Sequence, residues 1–169
     1  ELVVSFARLL KRLAEGIGAT RVFLNCEGDP GPLTRLVVAS SDSFCLVTPS
    51  DARAAALVPA LSVMLEGAVD LRKQARARER VALLGDPGPK YLGYVLTSAL
   101  EPHHGGVPSW QLDVELRELL KAHVRDTLKR LDPNLLVPYA SEIGDLRGPD
   151  ELAASAYAAG RLVGRFPDR

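Results

Sequence analysis

The residues best placed to do chemistry lie in one short loop. Arg21-Val22-Phe23-Leu24-Asn25-Cys26 is a largely apolar run of strand formers, too short for a helix, and reads as a buried parallel strand. Glu27-Gly28-Asp29-Pro30-Gly31-Pro32 follows, dense in turn residues. Open α/β sheets bind ligands outside the carboxyl ends of their strands. Asn25, Gly28, Asp29 and Gly31 therefore stand where a polar ligand would be held. The same residues also suit a plain strand-to-helix turn, with Asp29 or Thr34 capping the helix that follows.

Other groups are weaker candidates. Arg72, Lys73, Arg76, Arg78 and Arg80 form the densest basic run, and on a helix Arg72, Arg76 and Arg80 share a face. By itself this reads as a solvated face, partly balanced by Asp70 and Glu79. No aromatic residue interleaves with it, so base stacking is not indicated. Arg117, Lys121, Arg125 and Lys129 make a second stripe at four-residue steps, broken up by Glu115, Glu118 and Asp126, and again read as a solvated face. His103 and His104 are adjacent and His123 falls within a helix, with no Cys or carboxylate at a spacing that completes a metal site. Cys26 and Ser109 lack a recognisable base and orienting partner for nucleophilic work. Trp110 reads as a packing anchor.

The elements that must carry these residues alternate. Apolar residues at three- and four-residue steps (Leu2, Phe6, Leu9, Leu13, Ile17) predict a helix over 2–17, stopped by Gly16 and Gly18. After the 21–26 strand come a short helix over 33–39 and a strand over 43–48 ended by Pro49. Ser50 caps a helix reaching about residue 66. A charged helix covers 69–83 and a strand 91–97. Residues 101–109 are an exposed loop. A long amphipathic helix follows, with Leu112, Leu116, Leu119, Leu120, His123, Val124, Leu128 and Leu131 on its face. Residues 135–139 read as a short strand or an extended approach to one. An alanine-rich helix opens at Pro149. This order implies right-handed crossovers and a mostly parallel sheet with helices on both faces.

Composition bounds the class. The chain has 169 residues, 47% of them hydrophobic and 25% charged, as in a soluble globular domain. Net charge is zero, so no global field steers it to nucleic acid or to an anionic membrane. Cys26 and Cys45 each sit in an apolar run, which reads as buried reduced thiols in a reducing, cytoplasmic setting. No apolar run nears the length of a membrane span and no signal peptide is visible. The chain starts at Glu1 inside a helical pattern, which is read as missing upstream residues.

Several local patterns occur in an order that resembles the later part of the ParA/MinD-like P-loop ATPases. The strand through Asn25 is followed by the Pro/Gly loop and Leu33-Thr34. Ser41-Asp42 precedes a strand ending Val47-Thr48-Pro49. Leu92-Gly93-Tyr94-Val95-Leu96-Thr97 and Glu142-Ile143-Gly144-Asp145-Leu146 come later. The resemblance implies a P-loop NTPase-like domain, incomplete at its amino end, that binds ATP and Mg²⁺, dimerises around nucleotide and acts with DNA and a regulatory partner protein to position plasmids, chromosomes or large assemblies. It implies nucleotide contacts at Asn25, Gly28, Asp29, Gly31 and Thr97, and nonspecific DNA-backbone contacts through Arg72, Lys73, Arg76 and Arg80. Three departures accompany it. There is no GxxxxGK[ST] loop. Asn25 stands where the family has an aspartate near Mg²⁺. Thr97 stands where it has an asparagine near adenine. A non-enzymatic dimerisation or binding module on the same fold is the alternative.

Overall fold

A computed structural model describes residues 1–26, 30–49, 51–79, 84, 88–97 and 109–146. In chain order the elements are α1 (Leu2–Gly16), α2 (Pro32–Ser40), β1 (Ser43–Pro49), α3 (Ala52–Glu79), β2 (Lys90–Thr97), α4 (Ser109–Leu120), a π-helical turn (Lys121–Arg125), α5 (Asp126–Leu131), a 3-10 turn (Pro133–Leu135) and β3 (Leu136–Leu146). The protein is α/β, with one small parallel sheet and a helical layer. The alanine-rich segment beginning at Pro149 and the 101–108 loop lie outside the described residues.

The sheet has the order β1-β2-β3, and both pairs are parallel. Strand order therefore equals chain order. Right-handed crossovers that all step the same way leave their helices on one face. Side-chain burial agrees. Phe44, Leu46, Tyr91, Tyr94 and Leu96 join the apolar cluster that also holds Val58, Met64 and Leu65 of α3 and Leu116 and Leu120 of α4. On the opposite face Cys45 is exposed and Val47 is 65% exposed. Among the described residues helices cover one face of the sheet, not both as alternation alone implied.

The register slips between Phe44 and Cys45, where β2 advances from Tyr91 to Gly93. Leu92 is thus one residue too many, a bulge, and Gly93 takes φ 131°, a conformation that suits glycine. The bulge brings Tyr91 and Tyr94, three residues apart, to the same face. The Phe44 and Tyr91 rings pack 5.3 Å apart on that face.

Four sequence expectations change. Residues 21–26 are not a strand, and Phe23 is 89% exposed. The helices expected over 51–66 and 69–83 are one helix, α3, because its buried stripe (Val58, Leu65, Ala68, Arg72, Ala75) runs through Gly67 unbroken. The apolar stripe of α1 points outward, with Leu9 and Leu13 about half exposed and Ile17 more so, while Val3 and Val4 are the buried residues. β3 continues from Leu136 through Pro138 to Leu146, joining two segments that read separately.

By length and composition alone, Arg53–Arg78 of α3 is apolar enough to cross a membrane, so the reading that no run nears that length does not extend to α3. A third of that apolar window is buried inside the fold, where α3 packs on α1, α2, α4 and α5.

Candidate functional site

Of the loop residues singled out in the sequence, Gly31 is the N-cap of α2, with Pro32 at the first helical position. Asn25 lies on an exposed, non-strand segment. Gly28 and Asp29 lie outside the described residues. Thr97 ends β2, in register with Pro49 of β1 and Leu146 of β3. The sheet therefore brings Pro49 and Thr97 together at its carboxyl edge, and Asn25 stands outside that register.

The basic run splits. Lys73 is exposed and Arg76 half-buried, while Arg80 lies outside the described residues. Arg72 is 1% exposed. Its guanidinium donates to the carbonyl oxygens of Ala39 (3.1 Å) and Ser41 (2.6 Å). The last carbonyls of a helix have no partner within it, and a cation is favoured there. Arg72 closes the end of α2 from inside the core, which removes it from any DNA-facing surface. The spacing shared by Arg72 and Arg76 was real, but the face it defines at Arg72 is the buried one.

The thiols are free. Cys45 is exposed and Cys26 half-buried, not both buried as their apolar surroundings suggested. Burial pushes the Cys26 thiol up, which keeps it from the reactive thiolate form. His103 and His104 lie outside the described residues, and among the described residues no cluster of three His, Cys, Asp or Glu, His123 included, could hold an ion. Its carbonyl accepts from Ser62 Oγ (2.8 Å), whose oxygen also lies 3.3 Å from His123 Nδ1. This contact pins the π-helical turn to α3.

A cleft that sequence reasoning missed lies against this turn. It has a volume of about 230 Å³ and is lined by Tyr91, Tyr94, Arg117, Glu118, Leu120, Lys121 and Arg125. Arg117 makes a two-pronged pair with Glu142 of β3, Nε to Oε2 at 2.7 Å and Nη2 to Oε1 at 3.1 Å. Hydrogen bonding from Arg117 holds the Glu142 carboxyl below its ordinary range, against a smaller opposing effect of burial. Burial, then the Glu142 charge, pushes the Tyr94 hydroxyl up. The stripe Arg117, Lys121, Arg125 was visible at four-residue steps. The two tyrosines that turn it into a cleft come from a distant strand through a bulge, and no local pattern announces that.

The Arg117–Glu142 pair makes stability sensitive to acid. Glu142 has a lower pKa folded than unfolded, so its contribution is complete above the unfolded value of about 4.3 and is lost as pH falls through the folded value. Both side chains are about one-third exposed, which limits the pair to roughly 1 kcal/mol. Glu142→Gln is expected to flatten the acid limb of a melting-temperature profile; an acid limb identical to the wild-type one would refute the assignment.

Comparison with family models, with curated proteins and with solved structures returns no match.

Proposed function

We propose that this chain forms the later part of a ParA/MinD-like nucleotide switch domain, working as a nucleotide-controlled dimer with DNA and a partner protein. The observation that carries the reading is the carboxyl edge of the parallel sheet, where Pro49 and Thr97 finish β1 and β2 in register, together with the Gly31–Pro32 start of α2. In α/β units a helix runs back against the strand it leads into, which sets the start of α2 toward that edge. Helix starts and strand ends are where such folds hold phosphates.

The residues present do not make a phosphate grip by themselves. No GxxxxGK[ST] occurs, and Asn25 is neutral and exposed, so it offers Mg²⁺ a water-orienting amide and no charge. ATP would need backbone donors from residues other than these. Lys73 remains an exposed cation for DNA phosphates.

One observation favours the alternative of a non-enzymatic binding or dimerisation module. The apolar segment holding Val22 and Phe23, which the nucleotide reading requires as a strand, is exposed and outside the sheet.

Titration calorimetry of the complete natural polypeptide with ATP, with and without Mg²⁺, separates the two. The switch reading expects micromolar, Mg²⁺-dependent binding that tightens in Asn25→Asp. Absence of binding at millimolar ATP leaves the module reading.

A further inference from the structure

The cleft beside the π-helical turn has the features of a site, and it is separate from the carboxyl edge of the sheet. Tyr91 is the second residue of β2 (Lys90–Thr97), at the opposite end of that strand from Thr97. We propose that this cleft binds a small oxyanion, a phosphate or carboxylate group on a compact ligand, through the Arg125 guanidinium, the Lys121 ammonium and the Tyr91 hydroxyl.

The charge balance is the first argument. Arg117, Glu118, Lys121 and Arg125 line the cleft, and Glu142 pairs with Arg117 beside it, so three cations meet two carboxylates and leave one positive charge. The balance is also uneven in space. Glu142 is taken up by Arg117 at 2.7 Å. Glu118 lies 3.7 Å from Lys121, and both are well exposed, so that pair holds Lys121 weakly. Among the described residues no carboxylate pairs with Arg125. Its planar fork suits an oxyanion better than a point cation would.

The second argument is Tyr91. The residue is 2% exposed, yet its hydroxyl makes no hydrogen bond among the described residues while its side chain lines the cleft. The ring is packed away while the hydroxyl is left open to the cleft, where a ligand can meet it. Burial pushes the Tyr91 hydroxyl up, with Arg125 opposing, so at neutral pH it carries its proton and donates. A donor and an unpaired guanidinium converging on one cavity ask for an acceptor that bears negative charge.

The third argument is the backbone. Lys121 and Arg125 are the two ends of the π-helical turn, a feature that recurs at functional sites. Ser62 holds the turn by its bond to the His123 carbonyl, which fixes the spacing of the two cations. Leu120 supplies an apolar wall. At about 230 Å³ the cleft is smaller than the roughly 300–1,000 Å³ of drug-sized pockets, which limits the ligand to a compact one.

The test is calorimetric titration of the full chain with orthophosphate and, separately, with succinate, at constant ionic strength set with chloride. At least one of the two is expected to bind. Arg125→Gln is expected to weaken it by about tenfold or more and Tyr91→Phe by severalfold, as loss of a charge-assisted and of a single hydrogen bond predicts. Both variants should melt as the wild type does, since Arg125 is exposed and the tyrosine ring is retained as phenylalanine. Orthophosphate alone binding identifies a phosphorylated ligand; succinate alone identifies a carboxylate. Heat from neither anion up to roughly 50 mM, a free energy below about 2 kcal/mol, overturns the proposal, as does binding that both variants leave unchanged. ATP affinity measured on Arg125→Gln keeps this site apart from the nucleotide reading, because loss of phosphate binding with ATP affinity retained, or absent throughout, concerns this cleft alone.

Discussion

Arg72→Met is expected to cost roughly 3 kcal/mol or more of folding stability, among the largest effects of any single substitution. The side chain is almost fully buried. Methionine fills much of its volume but donates nothing, so the carbonyls of Ala39 and Ser41 lose the bonds they accept at 3.1 and 2.6 Å. A buried acceptor left without a donor costs about 1–3 kcal/mol, and bonds to a charged group are at the strong end. Ala39 is fully buried, so water does not replace the guanidinium at its carbonyl. Arg72→Lys separates charge from geometry. Both oxygens are met by one nitrogen, Nη1, and the shorter lysine side chain does not carry its ammonium as far, so an intermediate loss is expected. Urea unfolding with an unchanged slope measures both. A shift below about 1 kcal/mol for Arg72→Met would mean that Arg72 turns outward in solution, and would restore it as a surface cation.

Leu128→Ala is expected to cost about 2–5 kcal/mol. Leu128 is 0% exposed and belongs to the same apolar cluster as Leu116, Leu120 and Val124. Removing its branched end takes away transfer free energy and leaves a cavity that the surroundings close only in part, since Ser62 of α3 also holds the adjoining π-helical turn through the His123 carbonyl. The lowered midpoint should come without loss of helical circular dichroism in the absence of denaturant. A cost under about 1 kcal/mol would show that this end of the helical layer is loosely packed.

How far the chain could be read in advance depended on whether a residue's partners were near it in sequence. Helix α2 and strands β1 and β2 were marked by Pro32, Pro49 and the short apolar runs, all local signals. The helix through Leu116, Leu120, Val124 and Leu128 was marked by its period, and those residues are buried. Arg72 shows where local reading stops. Its spacing from Leu65, Ala68 and Ala75 places it on the apolar stripe of α3, but charge argued for solvent; what decides is a pair of carbonyls about thirty residues away. The outward stripe of α1 is the reverse case, because a strong amphipathic period says that one side is apolar and cannot say what covers it. The carboxyl-edge loop was visible as a cluster of turn residues. The oxyanion cleft was visible only as half of itself, the cations, because Leu92 re-aims Tyr91 and Tyr94 from a strand that pattern reading treats as regular.

Strand order that equals chain order also has a consequence in time. During synthesis β1 emerges first, and the next strand to leave the ribosome is its true neighbour; the same holds for β2 and β3. Among the described residues no strand has to be held open for a later one to insert between two already paired, so these three strands can pair in the order in which they are made. Each closure spans one crossover rather than the whole chain, which keeps the entropy of loop closure per step small and lowers the mean sequence separation of contacts, the quantity that slows β-sheet folding.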